Sequence, residues 1–146
     1  MTAPDMKVKP IIKVPCAIIE REGKVLAAQR SASGSLPLKW EFPGGKLEEG
    51  ESDEEALVRE IREELCVEIQ VGDRLPATER DDVYRIIMLI PFVCQLATED
   101  IILTEHAEIR WLSPEELPNL DWAEADRGVI ADYINYLTYQ RSEATE

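Results

Sequence analysis

Trp40 to Val67 reads WEFPGGKLEEGESDEEALVREIREELCV: a short apolar lead-in, a Pro-Gly-Gly turn, then an acidic run with hydrophobic residues four apart. Ser52 followed three residues later by Glu55 forms a capping box, so a helix opens there. At about 100° per residue, Glu60, Glu63 and Glu64 stand at i, i+3 and i+4 on one ridge. Leu57, Ile61 and Leu65 make a separate apolar stripe that pins the helix to a core and leaves the ridge at the core's edge. Three carboxylates in one small volume raise one another's pKa unless a cation lies among them. Their hard oxygens suit Mg²⁺ or Mn²⁺, and magnesium held by one or two carboxylates commonly binds substrate phosphates as well. The plainer reading of the same residues is a solvated acidic face with surface Arg pairs.

The preceding turn narrows that choice. Trp40-Glu41-Phe42-Pro43-Gly44-Gly45-Lys46 leads from a short strand into a loop, whose glycines permit close backbone approach, and Gly50-Glu51-Ser52 follows before the helix. On these residues the chain resembles the Nudix hydrolase family, whose box runs Gly, five residues, Glu, seven residues, Arg-Glu, an aliphatic, any residue, Glu-Glu, any residue, Gly, aliphatic. Gly45, Glu51, Arg59, Glu60, Ile61, Glu63, Glu64 and Val67 match it. Cys66 replaces the final Gly at a helix end, where left-handed dihedrals are expected and a side chain costs about 1 kcal/mol. The family's Gly ligates nothing, so this departure bears on the local turn more than on the chemistry.

Outside the box, Ile11 to Glu20 and Lys24 to Gln29 read as two strands of a hairpin around Arg21-Glu22-Gly23, and Ser31 to Leu38 as a loop. The apolar run Tyr84 to Leu96, rich in Ile and Val, reads as a buried strand, and Ile109 to Leu112 as another. Ser113 before Pro114 opens a short helix, and Val129, Ile130, Tyr133, Ile134 and Leu137 have the spacing of a terminal one. This order gives an α/β chain, α+β by some schemes, with a mixed sheet between helices. The resemblance implies the Nudix α/β/α sandwich. A single domain over 1–146 is expected, with flexible ends at 1–8 and 140–146.

At 146 residues, 45% of them hydrophobic, the chain can bury one sizeable core. Thirty acidic against 16 basic residues give a net charge of −14, which argues against a nucleic acid polymer as partner for want of a basic patch. No stretch approaches about 18 consecutive apolar residues, and Met1 to Pro10 lacks an apolar core of signal-peptide length. A cytoplasmic protein with no membrane partner is expected, as monomer or homodimer. Cys16, Cys66 and Cys94 are widely spaced and form no C-x-x-C pattern, so core or incidental thiols are expected rather than a disulfide or zinc site.

For the site, the resemblance implies metal ligation by Glu60, Glu63, Glu64 and the backbone carbonyl of Gly44, with Mg²⁺ as cofactor and Mn²⁺ as substitute. By similarity to the MutT-like branch, Glu60 is the general base, or base and ligand together, while Arg59 positions the carboxylates and pairs with Glu51. Thr104 to Trp111 resembles the segment from which the family supplies one more carboxylate, Glu105 first and Glu108 second. His106, the only histidine, lies beside them. The activity implied is hydrolysis of a nucleoside triphosphate, a small-molecule substrate, to monophosphate and pyrophosphate. The W-E-F-P-G-G-K pattern, with an acidic residue opening the last helix, looks closest to CTP and modified-dCTP pyrophosphohydrolases, whose near relatives act on 8-oxo-dGTP. Asp126 aligns with the position that reads the base in that branch. A carboxylate there can accept from the exocyclic amine of cytosine, or serve as a first-turn acid of its own helix. Trp40 and Phe42, on one side of a strand by alternation, are candidates to stack on the base or to pack the core, and Arg30 is a candidate phosphate contact. Two alternatives stay open. One is hydrolysis of dinucleoside polyphosphates or nucleotide sugars, with Tyr84 similar in position to a tyrosine of the first group. The other is a Nudix-fold module that binds a nucleotide without turning it over.

Overall fold

The computed structural model describes residues 8–144. β1 (Ile11–Arg21) and β2 (Lys24–Gln29) form the expected hairpin, with Glu22 at φ 51° and Gly23 at φ 80°. Positive φ at both turn residues matches the twist of the flanking strands. There follow β3 (Trp40–Glu41), helix α1 (Asp53–Leu65), β4 (Ile69–Arg74), β5 (Thr78–Asp81), β6 (Ile86–Leu96), β7 (Glu108–Leu112), a 3₁₀ helix over Pro114–Asn119 and helix α2 (Glu124–Ala144). The sheet runs β3-β2-β1-β6-β4, with β5 also pairing β6 and β7 pairing β2. β1 and β6 run parallel from Ile11 opposite Ile86 to Glu20 opposite Gln95, and the other pairings are antiparallel. Two long apolar strands thus form the parallel centre of a mixed sheet.

Successive β1 side chains go to opposite faces. Cys16 and Ile18 share one core with Trp40, Phe42 and, from α2, Val129, Ile130 and Tyr133. Ala17 and Ile19 share the other with Leu57, Ile61 and Leu65 of α1 and with Ile90, Phe92 and Cys94. A helix on each face makes the α/β/α sandwich. Each buried Leu or Ile contributes about 1.5–3 kcal/mol, so α1 is anchored through the stripe its sequence displays. The three thiols are free, with Cys16 and Cys94 buried and Cys66 exposed.

Some expectations change. β5 is Thr-Glu-Arg-Asp, with no apolar alternation, and is a strand because it pairs with β6 from Thr78 opposite Leu89 to Asp81 opposite Ile86. β4 likewise follows from pairing with β6, across a bulge between Val71 and Arg74. The helix after Ser113 is 3₁₀, with Pro118 inside it. α2 runs on to Ala144, meeting no Gly or Pro stop signal after Leu137. The flexible end expected at 1–8 lies outside the described residues except for Val8, as do residues 145 and 146.

Candidate active site

The capping box forms as the sequence dictates: Ser52 Oγ accepts from the Glu55 N–H at 3.1 Å, and Glu55 Oε1 accepts from the Ser52 N–H at 2.9 Å. α1 ends at Cys66 in the expected left-handed conformation, φ 58° and ψ 33°. The Pro-Gly-Gly turn lies against β1, where the Ala17 N–H donates to the Pro43 carbonyl at 2.8 Å and the Gly45 N–H to the Pro15 carbonyl at 3.2 Å. A Cβ at Gly44 would stand 2.1 Å from the Pro15 oxygen, and one at Gly45 would stand 2.4 Å from the Glu60 carboxylate carbon. Gly44 is therefore demanded by close approach of the backbone, whereas a Cβ at Gly45 would displace the Glu60 carboxylate.

Arg59 organises one side of the helix. Its Nε and Nη2 donate to the two oxygens of Glu51 at 2.7 and 3.0 Å, and Nη2 also donates to the Lys46 carbonyl at 3.0 Å. Nη1 reaches Glu60 Oε1 at 3.0 Å and Glu63 Oε2 at 3.3 Å. This bidentate, charge-assisted pairing, with a further bond from the Glu48 N–H, holds the Glu51 carboxyl below the usual carboxylate range.

Glu64 has no such partner. Burial, then the charges of Glu41, Glu60 and Glu105, push its carboxyl up to about 9, and its Oε1 is buried without a hydrogen bond. The loop before β7 brings Glu105 here by docking on the end of α1. The Ile102 N–H donates to the Leu65 carbonyl at 2.9 Å, the Thr104 N–H to the Glu64 carbonyl at 3.2 Å, and the Thr104 hydroxyl to the Glu63 carbonyl at 2.9 Å. Among the described residues, no three side-chain donors already form a ligand shell. The donor chemistry nevertheless fits a divalent cation: hard carboxylate oxygens of one sign gather around a buried, unpartnered oxygen.

A cleft of three lobes opens beside this cluster, and Arg30 and Glu41 line all three. One, of about 240 Å³, is bounded by Gly44, Gly45, Glu64 and Glu105, with Phe42 and Asp126. A second, of about 190 Å³, has apolar walls of Val14, Leu36, Ile87 and Leu89, with Arg80 and Asp126. The third, of about 200 Å³, is edged by Ser31, Ser33, Ser35 and His106. Asp126 is 5% exposed, and its Oδ1 accepts from the Phe42 N–H at 2.9 Å. Burial raises its carboxyl to about 7, with the Glu41 charge adding and the Phe42 N–H and Arg30 opposing.

A NUDIX domain matches residues 9–133. The chain belongs to the Nudix family. It is 43% identical over 124 residues to the CTP pyrophosphohydrolase of Escherichia coli (strain K12), covering 85% of this chain and 92% of that protein. It is 35% identical over 133 residues to the nucleoside triphosphatase NudI of Salmonella paratyphi B, covering 81% and 93%. The solution structure of the Nudix hydrolase MutT from methicillin-resistant Staphylococcus aureus 252 superposes with a TM-score of 0.70 at 47% identity, covering 85% of this chain and 95% of that one. The sandwich is thus the Nudix fold.

Gly44, Glu64, Glu105, Arg30, Phe42 and Asp126 line one lobe together, Glu60 stands beside Glu64, and Glu63 sits on the exposed edge of the same ridge, its side chain 57% exposed. Trp40 is corrected: it lies in the core, 4% exposed, under the Arg110 guanidinium at 4.8 Å, and lines no lobe. Phe42 packs on Trp122 with ring centroids 4.8 Å apart, so core packing accounts for most of its surface. Glu108 is also corrected, because it opens β7 and pairs with Arg110 at 3.5 Å, away from the lobes. Tyr84 is 81% exposed in the turn between β5 and β6. Glu41 was missed, although a lone charge between Trp40 and Phe42, alternating to the other side, was the available signal.

Proposed function

We propose that this Nudix protein is a metal-dependent nucleoside triphosphate pyrophosphohydrolase, converting NTP or dNTP and water to the monophosphate and pyrophosphate. Its proposed substrates are CTP or a modified dCTP, with 8-oxo-dGTP as the nearest competitor. The observation that carries this reading is Glu64, a buried carboxyl faced by Glu41, Glu60 and Glu105 whose Oε1 has no hydrogen-bond partner among the described residues. Glu60, Glu63, Glu64, Glu105 and the Gly44 carbonyl are the groups that would hold the ion, Mg²⁺ with Mn²⁺ as substitute. When bound, the ion offsets charge on the bridging and leaving phosphate oxygens. Glu60, packed on Gly45 and hydrogen-bonded by Arg59, is the proposed acceptor of the attacking water's proton. Arg30 offers a cation to the polyphosphate where the lobes meet. The apolar second lobe suits a base, and Asp126 at its side can accept from the exocyclic amine of cytosine. The similarity to a CTP pyrophosphohydrolase supports the same choice. Among the described residues no helix is long and apolar enough to cross a membrane, and a cytoplasmic monomer or homodimer is proposed.

Pyrophosphate release from a panel of canonical, methylated and oxidised nucleoside triphosphates, with Mg²⁺ and then with EDTA, tests this. Metal-dependent release that peaks on cytidine nucleotides is expected. Release that peaks on 8-oxo-dGTP would relocate the base preference. No release from any triphosphate would overturn the reading.

A further inference from the structure

The two oxygens of Glu41 have different partners. Oε1 accepts from Arg30 Nη1 at 2.8 Å, and Oε2 lies 2.9 Å from His106 Nε2. An ionised carboxylate oxygen only accepts, so against one Nε2 is the donor. The His106 side chain is 5% exposed, and its Nδ1 is buried without a partner, so the bond to Glu41 is the ring's polar anchor. On the far side, Arg30 donates from Nε to the Ser35 carbonyl at 2.9 Å and from Nη2 to the Ser35 hydroxyl at 2.8 Å. The loop before β7, β3, the end of β2 and the serine-rich loop are thereby joined in one chain of hydrogen bonds.

We infer that His106 is a positioning residue: by holding Glu41 Oε2 it fixes the Glu41–Arg30 pair where the three lobes meet, and through Arg30 the rim of the cleft at Ser35. The inference rests on the proposed nucleotide reading, since that pair is what a triphosphate would meet between the base lobe and the glutamates. Released from His106, Glu41 gains the freedom to turn its charge toward the polyphosphate, and Arg30 loses a fixed partner. Both changes weaken substrate binding before they touch the chemical step, so KM should respond more than kcat.

His106→Phe is therefore expected to raise KM for the best triphosphate about tenfold with kcat changed less than about threefold, the size of one lost charge-assisted hydrogen bond. His106→Gln, whose amide can donate to the same oxygen, should recover most of the loss. Glu41→Gln should raise KM similarly, and the double variant with His106→Phe should be no worse than either single. Additive losses, a fall in kcat at constant KM, or no change in either would overturn the inference. Should His106→Phe fail to fold, the cycle is run with His106→Asn. If the wild type hydrolyses no triphosphate, the pyrophosphohydrolase reading fails separately, and the cycle is read in CTP affinity by calorimetry. Non-additive losses there retain the positioning role, whereas additive losses or no binding by the wild type overturn it.

Discussion

Glu51 and Glu64 belong to the same acidic run, one just before α1 and one in its last turn, yet their surroundings are opposite. Glu51 faces Arg59, which takes both of its oxygens and holds its carboxyl below the usual range. Glu64 faces Glu41, Glu60 and Glu105, and its carboxyl is pushed up to about 9. Two of the nearby basic side chains are engaged elsewhere, Arg59 by Glu51, Glu60 and Glu63, and Arg30 by Glu41 and Ser35. Composition cannot separate the two, since both are glutamates among glutamates. What separates them is burial and the placement of one guanidinium, and a buried group left in conflict with its neighbours marks a site of function more than a device of stability.

The largest expected effect falls on Glu63, the exposed outer member of the carboxylate ridge. Glu63→Gln should lower kcat by about 10³-fold with a melting temperature within about 2 °C of the wild type, because Glu63 is half-exposed and packs little. Near-normal turnover would remove Glu63 from the proposed ligands. Glu64→Gln should lower activity about 100-fold and at the same time stabilise the metal-free protein. The folded carboxyl titrates at about 9 against an ordinary 4.5, so near neutrality the folded state binds a proton that the unfolded state releases. That contribution is full below the ordinary carboxylate pKa and is lost as pH rises toward 9. An amide removes the loss, which amounts to about 3 kcal/mol at pH 7. Melting curves in EDTA from pH 5 to 9 check this: the wild type should fall relative to Glu64→Gln as pH rises, and parallel curves would refute it. Mg²⁺ should raise the wild type's melting temperature more than the variant's.

Arg59→Lys probes the neutralised side. A lysine is a point charge and cannot hold Glu51 bidentately while reaching Glu60, so about a tenfold loss in kcat is expected. Glu51→Gln should give a smaller loss of the same kind. If both variants turn over normally, the Arg59 network serves the loop from Lys46 to Glu51 and not the carboxylates.

How much of this was legible in the chain depends on whether the determinant was local. α1, its capping box and its left-handed end at Cys66 are set by neighbours within a few residues, and the sequence displays them. β5 is polar throughout and owes its existence to β6, so no periodicity could reveal it. The ridge of Glu60, Glu63 and Glu64 follows from helix geometry, but the raised carboxyl of Glu64 needs Glu105 folded back across α1 by Thr104, and Glu41 from β3. Trp40 shows the limit of a side-chain argument: alternation placed it with Phe42 correctly, but whether that face meets a ligand or α2 was a tertiary matter.

The smallest expected effect concerns Asp126, which borders both the glutamate lobe and the apolar one. Asn at this position keeps an oxygen for the Phe42 N–H, so the tie between β3 and α2 survives and the rate on the best substrate should change less than about threefold. What changes is the hydrogen-bond code offered to a base, from a carboxyl that titrates to an amide that does not. Burial raises Asp126 from 3.8 to about 7, so it is mostly protonated at pH 6 and mostly ionised at pH 8. Only the ionised form is a pure acceptor for the amine of cytosine, and the wild type's preference for cytidine over uridine triphosphate should therefore strengthen as pH rises through 7. In Asp126→Asn that ratio should fall about tenfold at pH 8 and lose its pH dependence. A ratio equally flat in both proteins would confine Asp126 to its hydrogen bond with Phe42 and return base selection to the walls of the apolar lobe.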